Sequence, residues 1–209
     1  MAIVVLAVGT TGDVWPMVEI GRELRQLGHR VRIATHLNFR PHVLKYGMEF
    51  APIPPDDSLA VLKSADGARL LEYSRNPIRH VRALRRLYAP LFPRVAEACI
   101  DACHDAKLIV RSTLSLVGLH IAEAMKVPSV DVQLQPLTPS SRYAHPLAYQ
   151  YLPKVLIRSG RVDRLTYAAT ERILHSPFTR SVQTTRAHLG LPRVTSPGRS
   201  REVRSGDSV

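Results

Sequence analysis

The sequence is poor in acidic residues, aromatic residues and cysteine, and each shortage excludes a class of protein. The 209 residues include 17 Asp and Glu against 29 Lys and Arg, which gives a formal net charge of +12. Two cysteines are too few for a disulfide scaffold, so we expect a reducing compartment. Aromatic residues make up 6% of the chain, which leaves little capacity for stacking on bases. The positive charge therefore favours anionic lipid or phosphate-bearing ligands over nucleic acid.

The sequence also lacks an apolar run long enough to span a bilayer. The apolar residues from Met1 to Val8 carry no basic segment and lead directly into Gly9, which predicts a first β-strand rather than a signal peptide. Hydrophobic residues make up 45% and charged residues 22% of the chain, which is typical of a globular protein with a buried core. We therefore expect a soluble, cytoplasmic protein.

Strand and helix patterns alternate along the chain. The continuous apolar run from Ile3 to Val8 is typical of a central parallel strand that is buried on both faces. Further strands are predicted at 31–35, 49–53, 108–110 and 127–134, with helices between them. This alternation predicts an α/β fold with a Rossmann-like, doubly wound parallel sheet of strand order 3-2-1-4-5.

The C-terminal part of the chain divides into a helical segment and a polar tail. Residues 161–188 are predicted to be helical, with a buried apolar stripe formed by Leu165, Ala169, Ile173 and Phe178. Residues 196–209 have little apolar content and no periodicity, which predicts a disordered tail.

A glycine-rich loop follows the first strand. It consists of Gly9, Thr10, Thr11 and Gly12, and it precedes a predicted helix. The loop has no third glycine of a dinucleotide fingerprint and no following Lys-Ser or Lys-Thr of a phosphate-binding loop. Its position at the carboxyl end of a strand nevertheless predicts a ligand crevice, and His36 lies at the same edge after the second strand.

Asp13 follows this loop and has two interpretations. A carboxylate beside a ligand crevice can accept a proton from a substrate hydroxyl, as a general base does. An aspartate at the start of a helix can equally cap the free backbone N–H groups there. The sequence pattern leaves both roles open.

Two other groups of residues are candidate sites. Cys99, Cys103 and His104 lie on one predicted helix, but no further ligands have the spacing of a zinc site, so we expect no bound metal. Arg79, Arg82 and Arg86 share one face of another predicted helix. That face is interpreted as a contact with an anionic membrane or with an acidic acceptor, or simply as a solvated surface.

Several blocks of sequence resemble one enzyme family. Residues 8–16, Val-Gly-Thr-Thr-Gly-Asp-Val-Trp-Pro, resemble the N-terminal signature of GT-B glycosyltransferases, with Thr11 where a basic residue is common. The resemblance is greatest to the branch that contains sterol glucosyltransferases and the glycopeptide and macrolide glycosyltransferases. It extends over residues 1–195 through five more blocks in the same order: 28–36, 47–52, 119–123, 136–139 and 189–192.

The resemblance implies a function for this region. In that family the N-terminal half of the GT-B fold binds a hydrophobic, hydroxyl-bearing acceptor, and transfer of a hexose inverts the sugar without a metal or a resident cofactor. Asp13 occupies the position of the family's general base. Residues that correspond to the acceptor pocket are the loop glycines and threonines, His36, Ser112, Thr113, Gln135, Thr138 and His145.

The donor-binding domain of that family has no counterpart in the sequence. The UDP-sugar is bound mainly by this second domain, and the chain has no second glycine-rich turn between a strand and a helix. Residues 1–195 are therefore interpreted as the acceptor-binding domain, which is inactive alone and depends on a donor domain, for instance on a separate chain. A non-catalytic remnant that binds a hydrophobic ligand or a partner protein remains the alternative.

Overall fold

Parallel strands pair into one central sheet in the computed structural model, which describes residues 1–72, 76–146, 148 and 160–194. The strands are β1 (Ala2–Leu6), β2 (Arg30–Thr35), β3 (Glu49–Pro52), β4 (Leu108–Ser112) and β5 (Ser129–Val132). Their order is β3-β2-β1-β4-β5, and every pair is parallel. The structure therefore confirms the predicted α/β fold and strand order.

In the described ranges, helices and short 3-10 turns connect and cover the strands. The α-helices are α1 (Thr11–Gln26), α2 (Arg40–Lys45), α3 (Ser58–Lys63), α4 (Ala65–Glu72), α5 (Pro77–Tyr88), α6 (Phe92–Ala102), α7 (Leu116–Met125), α8 (Gly160–His175) and α9 (Thr179–His188). The 3-10 turns span Leu37–Phe39 and Ser176–Phe178. In the described part of the chain, no helix has the length and apolar character needed to cross a membrane.

Strand β1 supplies both layers of the hydrophobic core because its side chains alternate between the two faces of the sheet. Val4 and Leu6 belong to the layer that α6, α7 and α9 cover, whereas Ile3 and Val5 belong to the layer under α1 and α2. All four side chains are at most 1% exposed. Burial of each contributes roughly 1.5–3 kcal/mol, so this central strand holds the glycine loop on a rigid base.

Arg186 joins two of the sequence blocks quoted above. This residue of α9 is 1% exposed, and its Nη1 and Nη2 donate to the two carboxylate oxygens of Glu123 on α7 at 2.6 and 3.0 Å. Its Nε donates to the carbonyl oxygen of Pro192 at 2.7 Å, and Nη1 also donates to Nδ1 of His120 at 2.8 Å. The guanidinium therefore fixes the end of α9 against the body of the domain.

Replacing Glu123 by glutamine should destabilise the domain by about 2 kcal/mol, because the buried charge of Arg186 loses its partner while Glu123 itself is partly solvated. Chemical denaturation of the 209-residue chain measures this change. Glu19→Gln, which removes one of the two exposed partners of Arg22 on α1, is the control and should change stability by less than about 0.5 kcal/mol. Equal effects of the two substitutions would show that the Arg186–Glu123 pair contributes no more to the free energy of unfolding than an exposed ion pair does.

One prediction about the C-terminal part of the chain is wrong, and another concerns residues outside the described ranges. The predicted stripe on residues 161–188 is wrong, because Leu165 and Ile173 are 67% and 47% exposed. Helix α8 buries Thr166 and Tyr167 instead. The Thr166 hydroxyl accepts the backbone N–H of His145 at 2.8 Å, and this hydrogen bond holds that face of the helix against the rest of the domain. The predicted tail, residues 196–209, lies outside the described residues.

Candidate functional site

The loop between β1 and α1 has a conformation that requires glycine at one position. Gly9 has φ +135°, in the region that side chains with a Cβ rarely adopt. A Cβ built on Gly9 would overlap the carboxylate of Asp13 and come within 2.7 Å of its Cβ and Cγ. Gly9 therefore allows the backbone to pass directly against the Asp13 side chain.

Asp13 is the third residue of α1 and caps the helix. Its Oδ2 accepts the backbone N–H of Thr10 at 2.9 Å and the Thr10 hydroxyl at 3.2 Å. The first backbone N–H groups of a helix have no acceptor within the helix itself. Asp13 accepts the N–H of Thr10, the N-cap residue, and so stabilises the start of α1 at Thr11. The side chain is partly exposed, and its other oxygen, Oδ1, accepts no hydrogen bond from the residues that the structure describes. The cap is thus present, and it leaves one carboxylate oxygen available to an incoming hydroxyl.

His36 supports the glycine loop through a hydrogen bond with its backbone. The ring is 1% exposed, and its Nε2 accepts the backbone N–H of Gly9 at 3.2 Å. Its Nδ1 lies 3.1 Å from the carbonyl oxygen of Ile53 and 2.8 Å from that of Pro55, so Nδ1 carries the proton. Burial lowers the pKa of His36, although both carbonyls and the charge of Asp57 act in the opposite direction. The neutral ring is therefore the form that fits the loop.

We expect acid to weaken the domain through His36. Because its pKa is lowered in the folded state, the contribution to stability is complete above the unfolded pKa of about 6.5 and is lost as the pH falls through the folded pKa. His36→Gln should lower stability at pH 7.5 by about 1 kcal/mol and flatten the fall in melting temperature between pH 7.5 and 5. His145 and His175, whose pKa values burial also lowers, remain in both proteins, so the difference in slope reports His36. Parallel pH curves would refute this role.

Ser112 lies at the same edge of the sheet, at the end of β4. It is buried, and its hydroxyl accepts the backbone N–H of Val8 at 3.4 Å and lies 2.9 Å from the Ser115 hydroxyl. Ser115 in turn donates to the carbonyl oxygen of Leu6 at 2.9 Å. The two serines therefore tie the carboxyl ends of β1 and β4 together, and a direct contact between Ser112 and an acceptor stays a prediction.

The other predicted pocket residues lie farther along the same side of the fold. Thr113 follows β4 and is half-buried, whereas Gln135 and Thr138 are exposed on the loop after β5. His145 is buried at the end of this loop, and its ring packs edge-on against Tyr167 of α8 at 5.2 Å between centroids. In the described part of the chain Asp13 forms its hydrogen bonds with Thr10, so the role of the loop residues and His145 in an acceptor pocket remains a prediction.

Tyr88 is a neighbour of Asp13 that sequence reasoning missed. It is the last residue of α5 and is half-buried. Its pKa is raised, first by burial and then by the negative charge of Asp13, so the phenol lies within electrostatic range of that carboxylate. No sequence signal could have found it, because Tyr88 is separated from Asp13 by 75 residues and belongs to no recognised motif.

The cysteine-containing helix does not form a metal site among the described residues. Cys99 lies on the buried face of α6, whereas Cys103 directly follows the end of that helix, and both are buried free thiols. Burial raises the pKa of both thiols, to about 12 for Cys103, so neither is a thiolate at neutral pH. Within the described ranges no group of three His, Cys, Asp or Glu side chains could hold a metal ion.

Comparisons with curated proteins identify sterol glucosyltransferases as relatives. The chain is 36% identical over 152 residues to a sterol 3-beta-glucosyltransferase of Arabidopsis thaliana, a match that covers 71% of this chain and 24% of the relative. It is 29% identical over 192 residues to a sterol 3-beta-glucosyltransferase of Leptosphaeria maculans, covering 91% of this chain and 12% of the relative. The chain therefore spans at most about a quarter of these two proteins.

Solved structures share the fold at low sequence identity. The glycosyltransferase VinC in complex with dTDP superposes with a TM-score of 0.58 at 17% identity, covering 95% of this chain and 47% of VinC. The glycosyltransferase SsfS6 of Streptomyces sp. SF2575 gives a TM-score of 0.55 at 22% identity, covering 94% of this chain and 48% of SsfS6. Both are GT-B glycosyltransferases, and the match is to about half of each.

A family model agrees with both comparisons. Residues 3–143 match the model of the glycosyltransferase family 28 N-terminal domain, and this range contains the glycine loop, Asp13, His36 and the strand-end serines. The match covers more than half of the chain. The protein therefore belongs to the glycosyltransferase family 28 N-terminal domain family and has the fold of one half of a GT-B glycosyltransferase.

Proposed function

We propose that this domain is the acceptor-binding half of an inverting, metal-independent glycosyltransferase that transfers a hexose from a UDP-sugar to an acceptor hydroxyl. The observation that carries the proposal is the position of Asp13. Its partly exposed carboxylate stands at the carboxyl edge of the central strand, with one oxygen fixed by Thr10 and the other open. A general base needs this combination of fixed position and a free acceptor oxygen.

The proposed reaction is a single displacement. Oδ1 of Asp13 accepts the proton of the acceptor hydroxyl while that oxygen forms a bond to the anomeric carbon of the sugar. The bond between the anomeric carbon and the diphosphate breaks on the opposite face, and UDP leaves with the electron pair, so the configuration inverts. The reacting atoms must lie about 3–3.5 Å apart and in line, which requires a second domain to hold the donor.

The acceptor is proposed to be a lipid-like or polyketide-like alcohol. The curated relatives are named sterol 3-beta-glucosyltransferases, which supports a sterol-like hydroxyl as acceptor and glucose as the sugar. Tyr88 lies within electrostatic range of Asp13, and the loop after β5 follows the carboxyl end of a strand in the same parallel sheet. An aromatic side chain there would pack against an apolar ring system beside the reacting hydroxyl.

The 209-residue chain is expected to show neither tight binding of UDP-glucose nor transfer of glucose by itself. Binding a leaving diphosphate requires oriented donors, normally at a helix N-terminus, and the glycine loop of this domain is assigned to the acceptor side. Calorimetry with UDP-glucose and a transfer assay to a sterol, with and without a co-expressed donor domain, measure both properties. Activity that appears only with the second domain supports the proposal, and efficient transfer by the chain alone overturns the assignment as a half-enzyme.

One observation favours a second, non-catalytic candidate. The hydrogen bonds from Thr10 to Asp13 are by themselves a sufficient reason for an aspartate at this position of α1. On that interpretation the domain is a binding module for a hydrophobic ligand or a partner protein. It would bind a sterol in the absence of any donor domain, and a supplied donor domain would not make it active.

We also propose that the domain contacts an anionic membrane surface, because a lipid acceptor resides there. Arg79, Arg82 and Arg86 are exposed along one face of α5, as their spacing of three and four residues predicts. Helix α5 ends at Tyr88, which lies within electrostatic range of Asp13 and, at helical spacing, on the side of the helix opposite the arginines. Membrane contact through the arginines would therefore hold at the bilayer the helix whose other side lies near the reacting carboxylate.

A further inference from the structure

The arginine face of α5 forms one wall of a pocket whose other wall is α4. The pocket has a volume of about 390 Å³. Among the described residues, its lining includes Asp66, Arg69, Arg79, Arg82, Ala83 and Arg86. Four guanidinium groups from two helices thus face one cavity, which a simple solvated helix face would not produce.

Local contacts fix the two walls of this pocket. Asn76 caps α5 by accepting the backbone N–H of Arg79 at 3.1 Å, so the helix begins directly before the arginines. His80 lies on the next position and donates from Nδ1 to the carbonyl oxygen of Leu70 on α4 at 3.2 Å. This bond connects the two helices and places Arg69 opposite the arginines of α5.

The described side chains that line the pocket include four arginines and one aspartate. Asp66 lies 3.1 Å from Arg69, and because both side chains are about half exposed, this pair is weak and can rearrange. Arg82 and Arg86 form no ion pair with any residue in the described part of the chain. A guanidinium group presents a planar fork of donors that matches two oxygens of a phosphate, so several of them around one cavity favour a doubly charged phosphate group.

We propose that this pocket binds the phosphomonoester headgroup of an anionic lipid. The lipid source is favoured over a soluble phosphate by Ile78, which is 65% exposed and lies one helical turn before Arg82 on α5. An exposed large apolar residue beside arginines is typical of a helix that lies in a membrane interface. The headgroup would then hold α5 at the bilayer. The value of this position for catalysis rests on the proposed function, whereas lipid binding itself does not.

Vesicle binding tests the proposal with a control on the same helix. Flotation of the 209-residue chain is compared between phosphatidylcholine vesicles that contain phosphatidate and others that contain phosphatidylserine, adjusted to the same surface potential. We expect about tenfold tighter binding to phosphatidate, the scale of added charge-assisted hydrogen bonds. Arg82→Gln and Arg69→Gln should reduce this ratio to about one. Arg85→Gln removes the same charge from an exposed position of α5 that does not line the pocket, and it should preserve the ratio.

The outcomes separate the pocket from general attraction and from the glycosyltransferase proposal. Equal binding to the two vesicles, or equal loss of the ratio in Arg82→Gln and Arg85→Gln, would mean diffuse attraction and overturn the pocket. Calorimetric binding of glycerol 3-phosphate as tight as the binding to phosphatidate vesicles would overturn the lipid source. Thermal melts confirm that each variant is folded. Asp13→Asn should bind vesicles like the unmodified chain, so a failure of transfer leaves this inference intact, and a failure of lipid binding leaves transfer intact.

Discussion

Replacing Asp13 by asparagine should lower glycosyl transfer at least ~100-fold in the domain supplied with its donor domain, which is the scale of general-base catalysis. The amide cannot take the proton of the acceptor hydroxyl, so the attacking oxygen loses its activation. The measurement is kcat/KM for transfer of glucose to a sterol. We expect the loss mainly in kcat, because the asparagine retains the size of the aspartate and leaves the acceptor site filled as before.

Stability and a second acidic residue of α1 serve as controls for this experiment. The side-chain oxygen of asparagine can still accept the Thr10 N–H, so the cap and the melting temperature should change little. Glu19→Gln removes another partly exposed carboxylate of the same helix, one that pairs with Arg22, and it should leave transfer unchanged. If Asp13→Asn transfers glucose at the normal rate, Asp13 is a helix cap only and the non-catalytic candidate is favoured.

The sequence is sufficient to predict the sheet because its signals are local. The apolar run from Ile3 to Val8 alternates between two faces, and right-handed crossovers leave few strand orders open once β1 is central. The same applies to the site's centre, since Gly9 and Asp13 lie four residues apart and their contact is set by one turn. In these places a short stretch of chain determines its own structure.

The supporting contacts of the site could not be predicted, because they join distant parts of the chain. His36 accepts the N–H of Gly9 only once β1 and β2 are paired, and the sequence indicated no more than a histidine at the same edge. Arg186 reaches Glu123 across 63 positions, and nothing in a polar helix marks it as a buried charge. The predicted apolar stripe on α8 is wrong for a related reason. The hydrogen bond of Thr166, and not the spacing of apolar residues, determines which face of that helix is buried.

Replacing Gly9 by alanine should lower transfer by about 100-fold, because the loop would no longer place Asp13 correctly. The new Cβ would overlap the carboxylate, so the side chain or the loop must move by about 1 Å, a displacement that can cost ~10²-fold in rate. The backbone at φ +135° adds strain of about 1–3 kcal/mol, which a thermal melt measures alongside kcat/KM.

Gly28→Ala separates these two effects of the Gly9 substitution. Gly28 also has a positive φ, +84°, but a Cβ there meets no atom within 4 Å, and the residue follows the far end of α1. This variant should lose about 1 kcal/mol of stability and keep full transfer at a temperature where it is folded. Such a result, together with the lowered transfer of Gly9→Ala, assigns the loss of transfer to the displaced Asp13 carboxylate. Equal activity of the two variants would instead show that the position of Asp13 does not limit the reaction.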